Sequence, residues 1–166
     1  YAALACFLSL VLLWRELAYP VQMQSKSDSH RPAASFGWLR DLASAGDRKE
    51  VAPVAEALTQ AWLARHADKV TEPAWNPGLS GRRLLHWSLY APLILSSADI
   101  VYRSTVLNSF ARTARHLDRT ADRASQGLER IAAWGGVVAA GLLIAGGNAR
   151  LAFGEAGLAK ALASGL

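Results

Sequence analysis

The feature that most restricts the fold is the run Ile131 to Ala149, 19 consecutive positions without a charged side chain. Such a stretch has two physical solutions: it spans a bilayer, or it forms a helix enclosed on all sides by protein. Gly135, Gly136, Gly141, Gly146 and Gly147 recur in it, and the small pairs Gly136 with Ala140 and Gly141 with Ala145 follow the spacing of close-packed membrane helices. Gly146, Gly147 and Asn148 read as a turn, however. That leaves roughly 15 helical residues where a span takes roughly 20. The enclosed helix is the preferred reading, and each glycine then admits close contact at about 1 kcal/mol relative to alanine. An integral membrane protein with short hydrophobic helices is the alternative.

The rest of the chain reads as helix from Ser35 onward. Ser35 is placed as the cap of a short helix with Trp38, Leu39 and Leu42 on one face, and Gly46 as its stop through a positive φ. Asp47 opens a second helix, with Val51, Val54, Ala55, Leu58, Ala61 and Trp62 at three- and four-residue spacing and a regular start near Pro53. It ends near His66. Thr71 to Gly78 is a loop that holds Trp75, and Ser80 caps a third helix to about Ser97, kinked near Ser88 by Pro92. Asp99 caps a fourth, with Tyr102, Val106, Phe110 and Leu117 in a stripe. A fifth runs from about Ser125 to Ala145 and a sixth from about Asn148 to Ala163. No segment alternates with period two, so the expectation is an all-α chain of antiparallel helix hairpins. Residues 35–166 form this helical domain. Residues 20–34, polar and with Pro20 and Pro32, are a linker, and residues 1–19 are an apolar helix that is either core or the remnant of a targeting segment.

Composition narrows the chemistry. Cys6 is the single cysteine among 166 residues, so no internal disulfide exists, and His30, His66, His86 and His116 show no metal-ligand spacing. No cofactor motif is present: no phosphate-cradling glycine loop and no nucleophile elbow. The net charge of +5 comes from 14 Arg and 4 Lys against 13 acids, which permits a polyanion partner without requiring one. Arg112, Arg115, Arg119 and Arg123 form a row on the fourth helix, but Asp118 and Asp122 interleave and are expected to pair with Arg115 and Arg119. Nucleic acid is not an expected partner, since its binding favours cations without interspersed acids. A non-catalytic helical scaffold with a basic face is the other alternative.

The densest candidate site is Trp75, Arg82, Arg83, His86 and Trp87, with Asn76, Pro77 and Gly81 among them. An exposed indole offers a flat apolar face to a sugar ring, and a guanidinium offers a two-pronged donor to a carboxylate or sulfate. These residue types together suit an acidic polysaccharide or oligosaccharide. The competing expectation is a packing role: both tryptophans clamp the loop onto the helix, and acids such as Glu72 hold the two arginines.

The string Trp75-Asn-Pro-Gly-Leu-Ser-Gly81-Arg82-Arg83-Leu-Leu-His-Trp87, preceded by Phe36-Gly-Trp-Leu-Arg-Asp-Leu42 and followed by Ala91-Pro-Leu-Ile-Leu95, resembles the amino-terminal helical domain of bacterial heparinase II/III family proteins. In that family a tryptophan–proline, Gly-Arg-Arg and tryptophan segment follows a Trp-Leu-Arg-Asp-Leu helix in this order and at this distance. The resemblance covers most of Phe36 to Leu166. It implies part of an incomplete α/α toroid, followed in the whole protein by a carboxy-terminal β-sandwich domain that this chain lacks. It also implies a polysaccharide lyase that cleaves uronic-acid glycans by β-elimination, with Tyr and His as acid and base. None of those catalytic residues is placed on this chain, which is expected to be inactive alone.

Overall fold

The computed structural model describes residues 34–165. The expected apolar helix over residues 1–19 and, but for Ala34, the expected linker lie outside the described residues. Every regular element among the described residues is helical. In chain order they are α1 (Trp38–Ala45), α2 (Arg48–His66), α3 (Pro77–Leu89), α4 (Ala91–Ile94), α5 (Ile100–Thr120), α6 (Leu128–Leu143) and α7 (Asn148–Gly165), with a 3-10 turn at Ala121–Arg123.

Several boundaries differ from those the sequence predicts. Ser35 does not cap α1; its hydroxyl accepts from the Gly37 N–H at 3.4 Å, one turn upstream, and Gly37 occupies the cap position in helical conformation. Gly46 ends α1 in extended backbone with φ −178°, so no left-handed geometry is involved there. α2 begins at Arg48, directly after Asp47, and carries Pro53 inside it. A proline near a helix start loses only one intrahelical bond, which the flanking turns tolerate.

The cap of α3 is Asn76 rather than Ser80: its side chain accepts from the Gly78 N–H at 3.1 Å, with Pro77 in the first turn. Proline suits that position because the first-turn N–H groups have no intrahelical partner. Pro92 breaks the helix instead of kinking it. α3 stops at Leu89, Tyr90 leaves helical geometry, and α4 is a separate single turn. Asp99 caps α5 as expected, accepting from Val101 and Tyr102 at 2.8 and 3.1 Å. α6 starts later than predicted, after Gly127 at φ +78°, a conformation that costs glycine least.

The uncharged run is enclosed through Gly141, beyond which Leu143 is exposed. Ten consecutive residues, Ala132 to Gly141, are buried. On one side α3 runs parallel to α6, with Gly78 against Glu129, Gly81 against Ala132 and Ala133, and Leu85 against Gly135. On the other side α7 runs antiparallel, with Gly157 against Trp134, Gly154 against Val138, and Gly141 against Leu151. The close crossing of α3 and α6 depends on two glycines that meet. A Cβ on Gly81 would fall on the backbone of Ala132, and one on Gly136 would stand 2.7 Å from the Gly81 Cα. Among the described residues no helix is long and apolar enough to cross a membrane.

Two hydrophobic clusters form the core among the described residues. One gathers Phe36, Leu39, Trp62, Trp75, Trp87, Ile94 and Val106; the other gathers Leu84, Leu117, Trp134, Val137, Val138 and Leu158. Phe110 on α5 packs against both. α5 and α2 run in the same direction, since Tyr102 lies against Thr59 and Arg112 reaches the Ala67 carbonyl. Asp118 pairs with Arg150 of α7 at 2.9 Å, not with Arg115.

Candidate functional site

The predicted cluster is brought together, but around a buried cation. Gly78, Leu79, Ser80, Gly81 and Arg83 open α3 on its inward side, and the helix drives Arg83 into the first core cluster with no exposed surface. Its guanidinium carbon stands 4.4 Å from the centre of the Trp62 ring and 5.2 Å from that of Trp75. Its nitrogens donate to the Ala74 carbonyl at 2.8 Å, the Ser80 hydroxyl at 3.2 Å and the Ala34 carbonyl at 3.4 Å. Aromatic faces and carbonyl dipoles therefore stabilise the charge in place of a carboxylate. Burial still pushes the guanidinium down to about 9, so it stays charged at neutral pH.

Trp75 is 1 % exposed and Trp87 2 %, so neither presents a flat face at the surface. The loop does hold Trp75 in one place: its indole N–H donates to the His66 carbonyl at 2.8 Å, and the His116 ring meets it edge-on at 5.4 Å. Trp87 is held edge-on against Phe36 at 5.1 Å and Trp62 at 6.0 Å. These contacts match the packing role weighed for the two rings. The acids expected around the arginines are different ones. Arg82 pairs with Glu129 of α6 at 2.6 Å, across the crossing of the two helices, and Arg83 meets carbonyls rather than Glu72.

His86 faces two backbone carbonyls through Nδ1, Ser35 at 2.8 Å and Arg82 at 2.9 Å. Carbonyl oxygens only accept, so Nδ1 carries a proton. Burial, the largest effect, and the nearby Arg40 and Arg82 charges hold its pKa down at about 4, against the raising effect of the two carbonyls. His116 donates from Nε2 to the Trp75 carbonyl at 2.8 Å, and burial again lowers its pKa, with Arg83 and Arg119 adding to the effect. Each ring thus holds backbone through one of its nitrogens. Among the described residues no group of three or more His, Cys, Asp or Glu converges.

Sequence reasoning passed over the residues that complete this cluster. Phe36 takes a left-handed backbone, φ +62°, while fully buried, and its ring links Trp38, Trp62 and Trp87. A bulky residue in that region is strained by about 1–3 kcal/mol and is kept there only by what surrounds it. Arg112 is not part of a solvated row: it donates to the Ala67 and Asp68 carbonyls at 2.6 and 2.9 Å and closes the end of α2. Arg115, Arg119 and Arg123 remain exposed.

The fold and this site define an all-helical domain built around a glycine-bearing inner helix. No known protein family, no curated protein and no solved structure matches the chain.

Proposed function

We propose that this chain is the front helical part of a polysaccharide lyase of the heparinase II/III type, acting on uronic-acid glycans. The observation that carries the reading is the enclosure of the glycine-bearing α6 between a parallel α3 and an antiparallel α7. An inner helix with a parallel neighbour on one side and an antiparallel one on the other is compatible with stacked helix pairs of a curved α/α shell. A second support is the use of the motif residues: Phe36, Leu39, Trp75, Arg83 and Trp87 converge in one interior, so their order in the chain reflects one physical task.

In such a reaction a base removes the proton on the sugar carbon beside the carboxylate, donors neutralise that carboxylate, and the electron pair expels the glycosidic oxygen to leave a ring double bond. His86 is 5 % exposed and gives a substrate no access, which makes it a poor candidate for the base. The acid and base belong to the rest of the enzyme, and Arg82, half-buried on α3, is the one predicted contact residue with surface to offer a glycan. The test is to express the chain with the carboxy-terminal part the reading requires and to follow unsaturated-uronate absorbance on a panel of acidic glycans. Product on one of them supports the reading; a folded protein that yields none on any overturns it.

A second reading, a scaffold whose basic face binds a polyanion, is favoured by Asp118. Its pairing with Arg150 leaves Arg115 without the acid expected beside it. Salt-sensitive binding of a sulfated glycan that disappears when Arg115, Arg119 and Arg123 are all changed to Gln is its expected signature.

A further inference from the structure

Behind the buried arginine lies a half-open groove of about 530 Å³ between the start of α1, the last turns of α2 and the 71–75 turn. Phe36, Trp38, Trp62 and Pro73 form its apolar walls, and Arg65 and His66 bring the polar atoms. Among the described residues no acidic side chain lines it. Arg65 is exposed and forms no ion pair among the described residues. Arg83 adds a second positive charge from behind the Trp62 ring, 4.4 Å from its centre, again without a carboxylate. The Trp62 indole N–H is buried and meets no acceptor among the described residues. The strained Phe36 backbone forms part of the same wall.

Flat rings, an exposed guanidinium and the buried charge of Arg83 against the Trp62 ring are complementary to one kind of molecule. We propose that this groove binds a ring that carries a carboxylate, its flat apolar face against Trp38 and its anionic edge on Arg65. Trp38 is partly buried against Phe36 and lines the groove. Arg65 can meet both carboxylate oxygens at once, a geometry lysine does not reproduce. This site is distinct from the predicted contact residues, which lie mostly in the interior. It does not depend on the lyase reading, because a chain without catalytic activity still binds the ring.

Calorimetry and tryptophan fluorescence on the full chain test the proposal with four probes: a glucuronate-bearing disaccharide, its glucose counterpart, benzoate and benzyl alcohol. The expected result is binding of at least one carboxylate, with its neutral counterpart at least about tenfold weaker. Whichever acid binds more tightly identifies the ligand as an acidic sugar or an aromatic acid. Arg65→Gln, an exposed change, is expected to lower affinity about tenfold with an unchanged helical spectrum, and Trp38→Ala to remove the fluorescence response. Equal binding of acid and neutral probe, an unaffected Arg65→Gln variant, or no binding of either acid at millimolar concentration overturns the proposal.

Discussion

At the scale of single residues, two buried cation-forming groups set how the fold responds to conditions. His86 has an ordinary pKa of 6.5 and is held near 4 in the fold. Between those values the unfolded chain carries a proton that the folded chain refuses. Stability is therefore complete above pH 6.5 and falls as pH descends toward 4, by about 3 kcal/mol from this residue. His66 and His116, both shifted downward, act in the same direction. Denaturant midpoints measured across that window are expected to fall, and His86→Gln to flatten the slope; a pH-independent midpoint would contradict this. Arg83 is the second case. Its fork meets three acceptors and two rings, a set an ammonium cannot reproduce. Arg83→Lys is expected to lose about 2–4 kcal/mol in denaturant unfolding, nearly as much as Arg83→Met, and a lysine variant as stable as the parent would show the fork to be idle.

At the scale of elements, the α3–α6 crossing is controlled by absent side chains. Gly81→Ala pushes a methyl onto the Ala132 backbone, and about 3 kcal/mol or more of destabilisation is expected, since backbone has no room to yield. Gly127 has open space around its missing Cβ but a positive φ, so Gly127→Ala is expected to lose only about 1 kcal/mol. Thermal unfolding of the two variants separates close approach from backbone strain, and equal losses would refute the distinction. Asn76→Ala removes the α3 cap and is expected to take away about 1 kcal/mol. Proline and asparagine were visible in the sequence as loop formers. That they start α3 four residues before Ser80 follows from the Asn76 side chain turning back to the Gly78 N–H, a choice local pattern does not make. Pro92 was visible too, but whether a proline kinks or breaks a helix depends on what packs around it. Here Leu93 and Ile94 are drawn into the first core cluster, and the helix is interrupted at Tyr90.

At the scale of the whole molecule, the two hydrophobic clusters share Phe110, and two long-range ion pairs, Arg82 with Glu129 and Arg150 with Asp118, tie α3 to α6 and α5 to α7. Partly exposed pairs of this kind contribute at most about 1 kcal/mol each, so it is the shared packing that couples the halves. A single cooperative transition is expected, with tryptophan fluorescence, dominated by the first cluster, and helical circular dichroism coinciding. Separate midpoints would show that the clusters unfold independently. Phe110→Ala is expected to lower that midpoint for both probes together.

The sequence by itself determined that the chain is helical, that the uncharged run turns at Gly146 and Gly147, and that Asp47 and Asp99 precede helices, because periodicity and capping are read over a few neighbouring residues. The tertiary structure alone decided which face of each aromatic is covered and which acid meets which arginine. Glu129 is 47 positions from Arg82, and Asp118 is 32 from Arg150, distances along the chain at which no local pattern carries information. The same holds for the predicted contact cluster. Tryptophan and arginine side chains look alike in sequence whether they stack on a ligand or on each other, and only packing put Arg83 between Trp62 and Trp75 and left Arg65 outside.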